Sequence, residues 1–160
     1  MISTKPLTAL IFLIALFSTP TLSAAADGLT VTNGDTVIEL QSEDIAALQK
    51  TSFETSNIWT EGTVIFTGPS LKSVIELANI TDGFVTLTAV NDYIIQIAVK
   101  SITENAPIIA NSINGKPFDR REKGPYWVVF PYDSDPKYQQ EEIYANSIWQ
   151  LVAIEKDGEW

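Results

Sequence analysis

Tryptophans and tyrosines beside compact polar side chains are the residues of this sequence best suited to bind a small molecule. An indole or phenol ring stacks on a flat heterocycle, while an amide or carboxylate pairs with the ring N–H groups and carbonyl edges of that heterocycle. The aromatic members are Trp59, Tyr93, Tyr126, Trp127, Tyr132 and Trp149, and their polar neighbours are Asn57, Asp92, Arg121, Lys123, Asp133 and Ser147. The pattern therefore favours a site for a flat, polar heterocycle.

The sequence contexts of three tryptophans separate core positions from ligand candidates. Trp127 lies in the apolar run 127–130, which predicts a buried position because large aromatic side chains dominate protein cores. Trp59 and Trp149 are each flanked by polar residues typical of turns. We therefore expect Trp59 and Trp149, rather than Trp127, to contact a ligand.

The residue inventory excludes many reaction types. The sequence contains no cysteine and no histidine, so it offers no Ser-His-Asp triad, no cysteine nucleophile, no zinc site of nitrogen and sulfur ligands and no axial histidine for haem. Carboxylate pairs, an oxygen-ligand metal site, a lysine or no catalysis at all remain open. The segment Asp133-Ser134-Asp135 lacks the twelve-position calcium loop and has the composition of a turn, which we favour.

The N-terminal segment has the pattern of a secretory signal peptide. Lys5 precedes an apolar run over residues 7–17, which is followed by Pro20 and by small residues ending at Ala26. That run is shorter than the roughly 20 residues of a membrane span, which disfavours an uncleaved anchor. We predict a signal peptide over residues 1–26, a domain over residues 27–160, and a periplasmic location in a bacterium.

The charge of the chain disfavours some classes of partner. The formal net charge is −10, and it becomes −11 without residues 1–26, which contain Lys5 and no acidic residue. Such a charge repels nucleic acid and anionic lipid, although solubility is its simplest explanation. We therefore predict no nucleic-acid partner and a mature protein that is not embedded in a membrane.

Short runs rich in Val, Ile, Thr and aromatic residues alternate with turn signals, which is mainly a β pattern. Asn33-Gly34 predicts a hairpin turn, and the positions of Leu71, Val74, Ile75 and Ala78 predict one face of a helix. A second helix is predicted over residues 42–50, capped by Ser42. The predicted strands are 29–32, 36–40, 64–67, 84–90, 94–99, 108–113, 127–130 and 149–154. The fold class predicted is a single, strand-rich α+β domain with short helices.

Five segments resemble, in order, the sulfite-oxidase-type molybdopterin-binding domain. They are TSNIWT (55–60), FTGPSLKSV (66–74), AVNDY (89–93), NGKPFDRREKGPYWVVFP (114–131) and SIWQLVAIE (147–155). The sequence is more similar still to a group of small exported proteins of that fold that look like pterin-binding proteins rather than oxidoreductases. This resemblance covers nearly all of residues 27–160 and implies a molybdopterin-binding, sulfite-oxidase-like fold.

The sequence departs from the enzymes of that family where they hold their cofactor. Thr55 or Ser56 stands in place of the cysteine that ligates molybdenum, and neither supplies a soft thiolate. The approximate counterparts of the residues that grip the cofactor are Lys123, Trp127 and Trp149, so two cationic anchors have become indoles. The resemblance therefore implies a ligand that keeps the bicyclic pterin but lacks the dithiolene, the metal and the phosphate.

The function that this resemblance implies is a periplasmic, non-catalytic binding protein for a pterin-like molecule. Trp149 and Trp59 would stack on the ring, Asp92 would pair with its amino-pyrimidine edge, and the other polar residues would hold its carbonyl or hydroxyl groups. Lys123 would either position the site or form a surface ion pair with Glu122 or Asp119. The ligand-binding set is Thr55, Trp59, Asn91, Asp92, Arg121, Lys123, Ser147 and Trp149, with no catalytic residue and no metal ligand.

The implied partner is the periplasmic domain of a membrane signalling protein, such as one that controls a cyclic dinucleotide second messenger. Two other functions stay open at this point. A domain or subunit of a molybdenum-cofactor-dependent oxidoreductase would need a substitute for the thiolate. A ligand-free scaffold would keep the fold without its site, since fold alone does not imply function.

Overall fold

The fold is described from a computed structural model that covers residues 28–119 and 121–157. The predicted signal peptide, residues 1–26, lies outside the described residues. No helix within those two ranges is both long enough and apolar enough to cross a membrane.

Short strands account for most of the regular structure. The strands are β1 (Leu29–Asn33), β2 (Thr36–Leu40), β3 (Lys50–Ser56), β4 (Thr63–Pro69), β5 (Phe84–Ala89), β6 (Ile94–Ala98), β7 (Ile108–Ala110), β8 (Ser112–Ile113), β9 (Lys116–Pro117), β10 (Trp127–Val129) and β11 (Leu151–Lys156). The α-helices are α1 (Ser42–Ala47), α2 (Leu71–Glu76) and α3 (Glu141–Ala145), and single 3-10 turns cover Val99–Ser101, Tyr132–Ser134 and Pro136–Tyr138. The strand-rich α+β composition predicted from the sequence is confirmed.

The strands form three sheets in the described part of the chain. The largest has the order β2-β1-β11-β5-β6, and within it β1 and β11 run parallel while the other neighbours are antiparallel. The second sheet has the order β3-β4-β8-β9, and β7 pairs with β10 in the third. The predicted hairpin is confirmed, because Asn33 pairs with Thr36 and Gly34 adopts a φ of 56°.

Helix α2 follows from its sequence pattern, whereas α1 differs from the prediction. The hydroxyl of Ser70 accepts a hydrogen bond from the Ser73 N–H at 3.0 Å and so caps α2, whose apolar face is buried. The prediction that Ser42 caps a helix reaching Lys50 is wrong. The cap residue of α1 is Gln41, and α1 ends at Ala47 because Lys50 starts β3, which pairs with β4.

The core extends across the three sheets and α2, and β7 and β10 are buried along their whole length within it. Trp127, Val128 and Val129 are fully buried, which confirms that 127–130 is an apolar core strand. The prediction of one strand over 108–113 is wrong, because the chain changes sheets at Asn111, whose N–H donates to the Thr67 carbonyl at 3.0 Å. At Gly68, a Cβ atom would lie 2.0 Å from the Ile109 carbonyl oxygen, so only glycine allows β4 and β7 to approach this closely.

Candidate functional site

A cavity of about 220 Å³ lies where the turns after β3 and β5 meet the segment between α3 and β11. Four aromatic residues contribute to its lining: Trp59, Tyr93, Tyr144 and Trp149. The other lining residues are Ala89, Asn91, Ala145, Ser147 and Ile148. Three larger hollows, of about 410, 420 and 310 Å³, occur elsewhere in the described structure, but their linings include none of the eight predicted ligand-binding residues.

The position of Trp59 is fixed by the turn that follows β3. The Asn57 side-chain oxygen accepts the Trp59 N–H at 2.8 Å, and the Asn57 amide donates to the Thr60 hydroxyl at 2.8 Å. The Trp59 ring makes edge contacts with the rings of Trp149 and Tyr144, each with a centroid separation of 5.9 Å. Local Asn hydrogen bonding and aromatic packing thus hold this indole in the cavity wall.

Trp149 lies just outside the strand in which the sequence predicted it. Gln150 adopts a φ of 54°, and β11 begins one residue later at Leu151. Trp149 instead forms an isolated bridge with Trp127, and their ring centroids lie 6.3 Å apart. The prediction of a strand starting at residue 149 is therefore wrong. Gln150, in its left-handed conformation, separates Trp149 from the hydrogen-bonded pairing of β11.

Lys123 contacts two indoles instead of the acidic residues considered for it. Its Nζ atom lies 4.7 Å from the ring centroid of Trp149 and 5.2 Å from that of Trp127. The Lys123 carbonyl also accepts the Gln150 N–H at 3.2 Å, which ties its backbone to the same segment. In residues 28–119 and 121–157, Lys123 forms no ion pair with Glu122 or Asp119.

The turn between β5 and β6 brings Asn91 and Tyr93 to the cavity. The Tyr93 hydroxyl donates to the Ala145 carbonyl at 3.1 Å, and its N–H donates to the Asn91 side-chain oxygen at 3.3 Å. Asp92, between them, is exposed with a φ of 61° and does not line the cavity. The polar side chain that this turn contributes to the lining is therefore the amide of Asn91.

The buried hydroxyl of Ser147 is committed to protein partners. It donates to the Ile143 carbonyl at 2.8 Å, so the Tyr132 hydroxyl must be the donor in the 2.7 Å bond between Tyr132 and Ser147. Burial raises the pKa of Tyr132 to about 12. These two hydroxyls link the segment after α3 to the core beneath the cavity.

Thr55 and Ser56 are held by Asp133, away from the cavity lining. The Asp133 carboxylate accepts the Ser56 N–H at 2.5 Å and the Ser56 hydroxyl at 2.8 Å, while the Asp133 N–H donates to the Thr55 hydroxyl at 3.0 Å. The bonds from Ser56 hold the pKa of the Asp133 carboxyl below its ordinary value. We call this arrangement the Asp133 clamp. The sequence pattern indicated only a turn at Asp133.

The structure brings four of the eight predicted ligand-binding residues together in the cavity lining: Trp59, Asn91, Ser147 and Trp149. Lys123 contacts Trp149 from outside the lining. Thr55 lies in the Asp133 clamp, and Asp92 and Arg121 are exposed away from the lining. Tyr144 was missed, because a tyrosine in a short helix carries no turn signal to mark it. Ligand contact by the eight residues predicted from the sequence stays a prediction.

Comparison with known proteins gives a fold assignment. No family model and no curated protein matches the sequence. Among solved structures, the chain is similar to the sulfane dehydrogenase SoxCD from Paracoccus pantotrophus, with a TM-score of 0.61 and 10% identity over 80% of this chain. The chain spans 37% of the length of that SoxCD chain. The predicted fold class, a strand-rich α+β domain, is confirmed, and the likeness to SoxCD shows a related fold.

Proposed function

We propose that this protein is a non-catalytic, periplasmic binding protein for a pterin-like small molecule. The observation that carries the proposal is the cavity lined by Trp59, Tyr93, Tyr144 and Trp149 together with the amide of Asn91. Aromatic walls with a few placed polar groups are typical of sites for small organic ligands. The export and the location rest on the signal-peptide pattern of residues 1–26.

The size and angles of the cavity favour a small, flat ligand. Its volume of about 220 Å³ is below the roughly 300–1,000 Å³ of sites for drug-sized ligands. The planes of Trp59 and Trp149 are inclined by 74°, so a ring stacked on one indole presents its edge to the other. A bicyclic ring without a long tail is the ligand that we infer from this geometry.

The residues present do not fit a molybdenum cofactor held in the manner of the related enzymes. The sequence offers no thiolate, and the Ser56 hydroxyl already donates to the Asp133 carboxylate within the Asp133 clamp. Within the described ranges, no three side chains of Asp or Glu group together so as to hold a metal ion. These observations support a binding function over the alternative of an oxidoreductase subunit.

A binding protein of this kind needs a partner that reads its state, and we propose the periplasmic domain of a membrane signalling protein. Exposed apolar side chains adjoin the lining residues in sequence: Ile58 next to Trp59, and Val90 and Ile94 on either side of Asn91 and Tyr93. Exposed apolar residues beside a ligand site support the proposal of a protein interface there. Capture of the partner would report ligand if the bound and free forms differ in their affinity for it.

The test of ligand binding is titration of the domain, residues 27–160, with a panel of oxidised and reduced pterins, followed by tryptophan fluorescence. We expect saturable quenching that is selective among pterin side chains. Flat titrations across the panel would overturn the pterin assignment and leave a scaffold or a cofactor-dependent subunit.

A paired-variant experiment localises the site. The double variant Trp59→Ala/Trp149→Ala is expected to weaken pterin binding about a hundredfold, because stacking on one ring contributes roughly 1–3 kcal/mol and the edge contact with the other about 0.5–1.5 kcal/mol. Calorimetry replaces fluorescence here, since the variant lacks two of the reporting indoles. Phe84→Ala, which removes a half-exposed aromatic residue outside the cavity lining, serves as the control and should leave the affinity unchanged.

A further inference from the structure

Lys123 places an uncompensated positive charge against the aromatic wall of the cavity. Its ammonium lies over the ring of Trp149, a lining residue, although Lys123 itself is not part of the lining. It also lies over the ring of Trp127, which is fully buried. No carboxylate in the described part of the chain forms an ion pair with it. The rings of Trp149 and Trp127 are therefore the groups that the Lys123 ammonium contacts.

The cavity lining adds a hydrogen-bond donor and no charge of its own. None of its nine residues is acidic or basic. The Asn91 side-chain oxygen accepts the Tyr93 N–H, which leaves the Nδ2 atom of Asn91 without a partner among the residues described. The hydroxyl protons of Tyr93 and Ser147 are already donated to the carbonyls of Ala145 and Ile143. The side chain of Asn91 thus offers a ligand N–H groups, which suit an acceptor such as a carbonyl or ring nitrogen.

A cation on one face of an indole changes which ligands the other face accepts. An indole face normally attracts positive charge. Here the ammonium of Lys123 already makes that interaction, because its Nζ atom lies 4.7 Å from the Trp149 ring centroid. A ligand ring stacked roughly 3.5 Å from the opposite face would lie about 8 Å from the ammonium. With an effective dielectric constant of about 20 and screening by salt, like charges at that distance lower affinity about tenfold.

We propose that Lys123 makes this cavity select neutral or anionic, acceptor-rich heterocycles and reject those that carry a positive charge. This selection rests on the proposed function in that it concerns the same cavity, but it does not require the ligand to be a pterin. Lys123 acts through Trp149 and is a residue that sets specificity at a distance from the ligand.

The first test needs no organic ligand. Collisional quenching of tryptophan fluorescence by iodide, caesium and neutral acrylamide is compared at constant ionic strength in Lys123→Met and in the matched variant Lys116→Met. Both variants remove one positive charge, but Lys116 lies on β9 and is exposed. Every protein also carries Trp160→Phe, so that Trp59, Trp127 and Trp149 are the reporting indoles. We expect Lys123→Met to lower the ratio of iodide to caesium quenching about threefold, while Lys116→Met leaves it near the parent value.

An equal change in both variants, or none in Lys123→Met, would overturn the selection mechanism. Acrylamide quenching is the control for a change in fold, since a neutral quencher reports the exposure of the indoles and not the charge near them. If Lys123→Met alters acrylamide quenching, the same three quenchers are applied to Lys123→Arg, which keeps the charge. The proposal requires Lys123→Arg to retain the parent ratio of iodide to caesium quenching.

The second test uses two pterin probes of opposite charge, pterin-6-carboxylate and 6-(aminomethyl)pterin. The parent protein should favour the carboxylate, and Lys123→Met should reduce that preference about a hundredfold, because it lowers the affinity for the carboxylate and raises that for the ammonium, each about tenfold. Binding of both probes with equal affinity in the parent would contradict the selection while supporting a pterin site. A charge-dependent quenching ratio with no binding of either probe would remove the pterin assignment and leave the selection by Lys123 intact.

Discussion

The carboxylate of Asp133 accepts two hydrogen bonds from Ser56, one from its N–H at 2.5 Å and one from its hydroxyl at 2.8 Å. Residues 77 positions apart are thereby joined, and the end of β3 is attached to the 3-10 turn that contains Tyr132. Since Trp59 follows β3 closely and Tyr132 packs against Trp59 with a centroid separation of 6.3 Å, this pair fixes one wall of the cavity.

The variant Asp133→Asn is expected to lower thermal stability near neutral pH and to lose that effect in acid. The pKa of the Asp133 carboxyl is lowered in the fold, because Ser56 donates two hydrogen bonds to it. Its contribution is therefore complete above the unfolded value of 3.8 and is lost as pH falls through the lower, folded value. The measurement is the difference in melting temperature between parent and variant from pH 7 to pH 2.

Glu61→Gln is the control for removal of one surface carboxylate, since Glu61 is exposed in the turn before β4. A difference in melting temperature that stays constant down to pH 2 would show that the charge of Asp133 does not support the Asp133 clamp.

Ser147→Ala is expected to lower the free energy of unfolding by about 1–3 kcal/mol, because the buried Tyr132 hydroxyl loses its acceptor. The double variant with Tyr132→Phe should cost less than the sum of the two single changes, since both remove the same hydrogen bond. Urea unfolding of the four proteins measures this coupling. Strict additivity would mean that the bond between the two hydroxyls contributes nothing to stability.

Alkaline pH should destabilise the protein through Tyr132. Burial raises the pKa of this phenol from 10.0 to about 12, so the folded protein holds a proton that the unfolded chain releases. The linked stability is complete below pH 10.0 and is lost as pH rises to about 12, for a total of about 2–3 kcal/mol. The measurement is urea unfolding of the parent and of Tyr132→Phe between pH 8 and 12. The two stability profiles should converge as pH rises; parallel profiles would exclude Tyr132 as the titrating group.

Asn91 and Asp92 should differ sharply in their effect on pterin binding. Asn91→Asp keeps the acceptor for the Tyr93 N–H but replaces the N–H donors of a lining residue, so affinity should fall about tenfold. Asp92→Asn is the matched reverse change at an exposed position outside the lining, where asparagine also tolerates the φ of 61°. Its affinity should stay within about twofold of the parent by calorimetry. Equal losses in both variants would contradict the placement of Asn91 as the contact.

Features that depend on neighbours in sequence could be predicted for this chain. The Asn33-Gly34 hairpin needs only its turn residues, the α2 helix only its apolar spacing, and Trp127 only its apolar strand. Local pattern also marked Trp59 and Trp149 as ligand candidates, since turn residues flank both, and the structure places the two in the lining of one cavity.

Features that depend on distant partners could not be predicted. Strand β3 reads as polar and gains its strand character from pairing with β4. The Asp133 clamp joins residues far apart in sequence, and Lys123 selects two indoles over its acidic neighbours only because the fold brings those indoles together. Propensity says nothing about such contacts, which are made when the sheets pack.

The parallel pairing of β1 with β11 has a consequence for the order of folding. Strand β11 is the last strand of the described chain, yet it lies between β1 and β5 in the middle of the largest sheet. Until residues 151–156 have left the ribosome, β1 and β5 have no central strand to join, and their long-range pairing cannot form. The largest sheet therefore forms later than the local hairpin of β1 and β2, because it waits for the segment that contains β11.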